Sequence, residues 1–392
     1  MNHWQDILEE QNCINPPRLS EEDAITLYND ADFNALRQVA LDRRRMMNPS
    51  EQVTYLIDRN INYGNACTIN CQFCSFYRPP GTKDVYLQSK EQISARVSEL
   101  EEIDGSRILM QGGVDPDLPI EWYEELLRFL RVKHPTIDLD CFSPIEIEGI
   151  AEVCGHSTLH VLERLQSAGM HGLPGGGAEM LVDEVRMGIS PLKGSAENWL
   201  KVMSEAHSLN LITTATNVFG FGESNEHRVK HMGKIRHLQD ESNQKGFRGF
   251  TAFIAWTVQL ENNTFGKRNP ELKSNPVGPI EYLRHLAVSR LFFDNIQHIQ
   301  SSWVTMGMDV AQLGLFGGAD DIGSTMMEEN VVSAAGSTRV ICTEEELQTA
   351  ITRAGFKAMR RNSKYEILDT PKLVEDARSF PSPPPLIIKE TL

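Results

Sequence analysis

Apolar residues recur along the chain in two rhythms. In the helical rhythm, Ile93, Val97, Leu100 and Ile103 fall on one face, behind Ser89 and Gln92 at capping-box spacing. Further stripes of this kind are Trp122, Leu126 and Phe129; Trp199, Met203 and Ala206; Val229, Met232 and Ile235; and Ile280, Leu283 and Ala287. Between the stripes lie short apolar runs rich in β-formers, at residues 55–63, 107–111, 137–142, 211–220, 250–256 and 299–303. Residues 1–50 are strand-poor and predict helix.

Alternation of strand and helix implies parallel βαβ units. Seven or eight units without an intervening linker favour a TIM-type (β/α) barrel over a doubly wound sheet. The expected organisation is an N-terminal helical segment (1–50), a barrel (51–340), a helical or strand extension (341–369) and a tail (370–392). The tail's PSPPP run suits an extended wrap or a disordered end. Barrels of this type carry their chemistry on loops after the strands.

Charge narrows the partners. The 392 residues include 38 basic and 54 acidic ones, for a formal charge of −16. Such a surface repels phosphate backbones and anionic lipid, which argues against nucleic acid and against an anionic membrane as partners. No apolar run has the length of a membrane span, and the first residues, MNHWQDILEE, lack the pattern of a signal peptide. A cytoplasmic location is the expectation.

The sharpest chemical signal is Cys67-Thr-Ile-Asn-Cys71-Gln-Phe-Cys74, a C-x3-C-x2-C spacing just after the first strand. Thiolates are soft ligands for zinc, copper(I) or iron–sulfur clusters. Structural zinc and electron-carrying 4Fe–4S sites both close with four ligands. Here no fourth cysteine is near, since Cys141 and Cys154 lie far downstream. Three thiolates on a four-iron cluster leave one iron open to a ligand. A zinc site completed by histidine, and three cysteines that merely pack, are the alternatives from spacing alone.

With Phe73 before its last cysteine, this motif resembles the signature of radical S-adenosylmethionine (SAM) enzymes. Residues 53–78 look like the cluster segment of the dehypoxanthine futalosine cyclases of menaquinone biosynthesis. LMQGGVDPDLPIEWYEELL, CFSPIEI, GLPGGGAEML, NVFGFGE, GFTAFIAWTVQLENNT and GADDIGSTMMEENVVSAAG follow in the same order, so the resemblance covers about residues 50–340. It implies a 4Fe–4S cluster on Cys67, Cys71 and Cys74, SAM on the open iron, and a 5′-deoxyadenosyl radical. That radical takes hydrogen from ribose C4′ of dehypoxanthine futalosine, and the ribose then closes onto the benzoate ring. It further implies a flavodoxin- or ferredoxin-type electron donor. Two places where some relatives carry histidine read Val114 and Phe221 here, so no histidine proton transfer carries over to them.

The same resemblance assigns cofactor-binding roles to Phe73, Gly112, Gly113, Ser143, Glu146, Glu179, Gly220 and Glu223. Each has a plainer reading. Gly112 and Gly113 suit a tight turn, and Glu179 or Glu146 can serve a helix N-terminus. Trp256, Thr257 and Gln259 are candidates to cover an aromatic substrate, against a core tryptophan. Glu328, Glu329 and Asn330 form a polar knot. His171 is a candidate to face the cavity, whereas His207 reads as a packed histidine. Arg78 is a guess for the cation that meets the substrate carboxylate. Competing functions are aminofutalosine synthase, a subunit making the deazaflavin chromophore, a non-catalytic iron–sulfur or zinc protein, and a barrel hydrolase using metal-bound water.

Overall fold

The computed structural model describes residues 3–328, 330–336 and 341–368. Ten strands form one sheet: β1 (Gln52–Leu56), β2 (Asp58–Asn62), β3 (Arg107–Gln111), β4 (Asp138–Cys141), β5 (Gly172–Leu173), β6 (Ile212–Phe219), β7 (Phe250–Thr257), β8 (His298–Gln300), β9 (Asp321–Ser324) and β10 (Lys357–Arg360). Their spatial order is β10-β1-β9-β8-β7-β6-β5-β4-β3-β2, and every pairing is parallel. A parallel bridge between Arg59 and Met327 joins the β2 edge to the chain just past β9, so the sheet curls back on itself. This is the expected barrel-type α/β fold, with two more strands than a simple eightfold pattern.

Helices on the outside cover the sheet and make it buried on both faces. The Ser89–Gln92 pair forms a full capping box on the helix Lys90–Glu102, whose Ile93, Val97 and Leu100 are buried. The stripes at Trp199, Val229 and Leu283 likewise pack inward, from Ala196–Ser208, Asn225–Gln244 and Pro279–Phe292. Ile280 departs from its stripe and is exposed.

Three differences from the sequence pattern have local causes. The run at 55–63 is two strands, because the chain changes neighbours at Ile57. Below it, β1 pairs with β10 and β9; above it, β2 pairs with β3. The run at 299–303 stops at Gln300, and Trp303 begins a short helix, Trp303–Met306. The helices Pro144–Cys154 and Thr158–Ala168, and the strands β5, β9 and β10, are not singled out by the pattern. A strand of two to four residues is too short to show a period.

Residues 3–47 are helical, as expected, in His3–Gln11, Glu21–Asp30 and Phe33–Met47. They are stapled to the barrel: Arg284 donates to the carbonyls of Leu27 and Ala31 (3.2 and 2.8 Å), and Arg236 to that of Leu19 (2.8 Å). The expected tail falls outside the described residues.

The lower, N-terminal end of the sheet is closed by charge. Arg361, just after β10, makes two bonds to Asp321 (2.6 and 3.2 Å) and lies 3.8 Å over the Tyr365 ring. That ring stacks on His298 at 3.9 Å. Arg107 pairs with Asp58 and lies 3.5 Å from Asp140, and Arg290 holds Asp320 at 2.6 Å. The segment after β10 therefore floors the barrel.

Candidate functional site

The upper end is built from loops. The three cysteines lie between β2 and the helix Lys90–Glu102, in a segment tied down along its length. Cys67 N–H donates to the Arg78 carbonyl (2.9 Å), Thr68 N–H to that of Val114 (3.0 Å), and Gln72 N–H to that of Ile189 (3.0 Å). Asn70 supplies the turn between the first two cysteines with φ = 53°, a conformation asparagine tolerates better than most residues, and its side chain is bonded by Tyr77 Oη. Arg78 does not reach into the cavity. Its guanidinium pairs with Asp84 and donates to the carbonyls of Ser75, Phe76 and Tyr77, so it folds the loop from inside.

Cys67, Cys71 and Cys74 line one cavity together with Phe73, Gly112, Gly113, Glu179 and Lys193. All three are free thiols, and the other four cysteines are elsewhere. Among the described residues no three His, Cys, Asp or Glu side chains stand close enough together to hold one metal ion. A four-iron cluster instead takes each thiolate on its own iron, and three soft donors spread around one cavity suit it.

The glycine pair after β3 is explained by packing. A Cβ on Gly113 would lie 2.0 Å from the Ala66 carbonyl oxygen, and one on Gly112 would lie 2.5 Å from the Tyr63 ring. Only glycine lets this turn press against the cysteine loop. Glu146 holds it there. One carboxylate oxygen accepts from Gly112 N–H (2.9 Å) and Tyr63 Oη (2.8 Å), and the other from Ser143 Oγ (2.7 Å). Ser143 and Glu146 thus edge the cavity, but their polar atoms serve each other and the turn. Burial pushes the Glu146 carboxyl up to about 7, against the pull of those three donors.

The GGGAE turn is equally fixed, one carbonyl at a time. Thr216 Oγ1 binds Gly175 O, Trp199 Nε1 binds Gly176 O (3.2 Å), and Arg186 binds Gly177 O and Ala178 O (3.0 and 2.8 Å). Asn217 Nδ2 binds Glu179 O (2.7 Å). Glu179 is held at φ = 39°, a costly conformation for a residue with a side chain. Its Oε1 accepts from Lys193 Nζ (2.8 Å), whereas Oε2 is buried without a hydrogen bond beside the thiol cavity, 3.9 Å from Arg186 Nη1. Lys193 also sits 5.2 Å over the Phe73 ring. Lys193, Arg186 and Trp199 belong to no motif, so their roles carry no chemical signal along the chain.

Two expectations take a different place. Gly220 and Glu223 do not join the cysteine cavity. Glu223 folds back onto Gly220 N–H and Phe221 N–H and is gripped by Arg228 (2.7 Å), which makes it a turn clamp. His171 lies at the start of β5, toward the floor, where its Nδ1 accepts from Leu139 N–H (2.9 Å). His207 is packed as expected: both ring nitrogens are bonded, to Ser242 and Thr213, and burial pushes its pKa down to about 4. Glu328 is buried between Arg59 and Arg96, outside the cavity, and Glu329 is outside the described residues.

Next to the cysteine cavity the barrel holds a chamber of about 260 Å³. Phe73, Cys74, Gly176 and Glu179 are common to both, so the two volumes adjoin. Trp256, Thr257 and Gln259 line it, with Leu109, Val304 and Met326. Asn60 and Asn62, on the inner face of β2, supply a polar wall.

The Radical SAM superfamily profile matches residues 61–235, and that of the CofH/MqnC C-terminal region matches residues 247–374. The chain is 42% identical, over 92% of its length and 94% of the relative's, to a cyclic dehypoxanthine futalosine synthase of Halalkalibacterium halodurans. It is 39% identical to one of Streptomyces coelicolor (90% and 86% of the two chains). It is also 34% identical to a 5-amino-6-(D-ribitylamino)uracil–L-tyrosine 4-hydroxyphenyl transferase of Methanococcus maripaludis (90% and 97%). Among solved structures, the fold resembles HydG, a maturase of the FeFe-hydrogenase, with TM-score 0.70 and 14% identity over 91% of this chain and 76% of that one. Methylornithine synthase gives TM-score 0.67 and 17% identity over 91% and 97%. Profile, relatives and fold agree with the thiol cavity at the barrel mouth: the chain belongs to the radical SAM superfamily, in the CofH/MqnC family that includes the cyclic dehypoxanthine futalosine synthases.

Proposed function

We propose that the protein cyclises dehypoxanthine futalosine, joining ribose C4′ to the benzoate ring, with a 4Fe–4S cluster on Cys67, Cys71 and Cys74 and with SAM. The observation that carries this reading is the junction of two volumes. A cavity with three free thiols opens directly onto a chamber lined by Trp256 and by the amides of Asn60 and Asn62. The near full-length similarity to cyclic dehypoxanthine futalosine synthases supports the choice of substrate.

When bound, the cluster and SAM supply a 5′-deoxyadenosyl radical. The chain's own contribution is placement. Arg78 and Asn70 shape the thiol loop. Glu146 fixes the Gly112–Gly113 turn, whose backbone is offered to the cofactor. Glu179 turns an unbonded carboxylate oxygen toward a ribose. Trp256 and its apolar neighbours exclude water and hold an aryl ring against a sugar, which converts a difficult encounter into a proximity problem. A flavodoxin- or ferredoxin-type protein supplies the electron. Among the described residues no helix is long and apolar enough to cross a membrane.

The test is anaerobic reconstitution followed by reaction with dithionite, SAM and dehypoxanthine futalosine. The expected result is about four irons per chain, release of 5′-deoxyadenosine, and a product two hydrogen atoms lighter than the substrate. Release of 5′-deoxyadenosine with the substrate mass unchanged would overturn the substrate assignment. Zinc, or an iron site already closed by four side chains, would overturn the cofactor.

A further inference from the structure

β2 reads Asp-Arg-Asn-Ile-Asn, and all five residues are buried. Four polar side chains in one buried strand are a poor choice for packing, and asparagine is disfavoured in strands. The strand alternates, so Asp58, Asn60 and Asn62 share its inner face. Asp58 is matched by Arg107 at the floor. Asn62 Nδ2 donates to the Gln111 carbonyl (3.2 Å), which fixes the amide and leaves Oδ1 buried without a partner. Asn60 stands between them. Only 7% of it is exposed, its Oδ1 accepts nothing, and its Nδ2 makes no hydrogen bond among the described residues.

An amide oxygen buried without a hydrogen bond is expensive unless something else completes it. The backbone excludes a packing slip: Asn60 N–H donates to Met327 O (2.9 Å), and the residue pairs in register with Leu109. The other polar residues that line the chamber, Trp256, Thr257 and Gln259 among them, make no hydrogen bond to the Asn60 side chain. The unmatched atoms on this wall are acceptors: Asn62 Oδ1 and, in either amide orientation, one oxygen of Asn60. A ligand that satisfies them brings O–H donors. It is a sugar or polyol at this wall, with its aryl end toward Trp256.

We infer that Asn60 is a specificity-determining residue that binds a ribose hydroxyl of the substrate and so sets which way the sugar faces. The inference rests on the cyclase reading above, whose substrate has both a ribose and an aryl end.

The experiment compares reconstituted wild type with Asn60→Leu, on intact substrate and on analogues with each sugar hydroxyl replaced in turn by hydrogen. For one hydroxyl, wild type should lose about tenfold to a hundredfold in kcat/KM, as for a site built to bond a group that is then missing. Asn60→Leu should be as poor on intact substrate, and removing that same hydroxyl should cost it no more than about threefold further. Iron content and thermal unfolding check that the variant is loaded and folded. If it is not, Asn60→Ser, smaller and still polar, should give a clearly narrower discrimination than wild type. Active wild type with full discrimination retained in the variants sinks this inference and leaves the cyclase reading standing. Wild type inactive on intact substrate sinks both.

Discussion

The two ends of the barrel are both polar and both buried, yet they solve the problem differently. At the floor, Asp321 faces Arg361, Asp320 faces Arg290, and Asp58 and Asp140 face Arg107. At the mouth, three thiols, Asn60 Oδ1 and Asn62 Oδ1 face a cavity rather than protein partners. Charge that is answered within the chain serves the fold. Polarity left unanswered costs stability and is retained where a ligand completes it. The mouth also carries strained backbone, with positive φ at Asn70, Phe142, Glu179, Met326 and Glu328, all at or beyond the upper ends of strands.

This contrast can be broken, and the largest effect belongs to the mouth. Cys71→Ala should abolish iron loading and release of 5′-deoxyadenosine, while urea unfolding of the iron-free protein stays close to wild type. At the floor the balance reverses. Arg361→Met strands Asp321 and should cost about 3–5 kcal/mol in urea unfolding. Adding Asp321→Leu should recover a large part of that loss, because a packed apolar pair replaces an unpaired charge.

Glu146 lies between these extremes and is read by pH. Its pKa is raised from 4.5 to about 7 in the folded chain. Folding therefore favours its protonated form. Its contribution to stability is fully present below about pH 4.5 and is lost as pH rises through 7, by up to about 3 kcal/mol. Glu146→Gln should flatten that part of the stability profile while keeping an acceptor for Gly112 and Tyr63; an unchanged profile would show that Glu146 is not its source. The smallest effect on stability is expected from Gly113→Ala, about 1–3 kcal/mol from overpacking against Ala66. Its iron content should fall further than its melting temperature suggests, since the displaced neighbour is the cysteine loop itself.

Much of this was legible in the chain. Period-3.6 stripes and β-rich runs located the long helices and strands, because both periodicities are local properties of a buried face. The cysteine spacing was legible for the same reason: three ligands within eight residues need no distant partner. Gly112 and Gly113 were found by type, but the reason for them was not, since the clashing atoms belong to Tyr63 and Ala66 on a different segment. Glu223 and His171 were misplaced because a motif says which loop a residue belongs to and not which way its side chain turns.

What the sequence by itself determined is therefore the alternation of elements, the acidic surface and the three-thiol motif, all of which depend on neighbours along the chain. Only the tertiary structure decided which buried polar groups find partners. Lys193 reaches Glu179 across fourteen positions, and Arg361 reaches Asp321 across forty. Among the described residues the Asn60 side chain bonds to no other. Pairing of that kind depends on distance in space, which the curl of the sheet sets and the order of residues does not reveal.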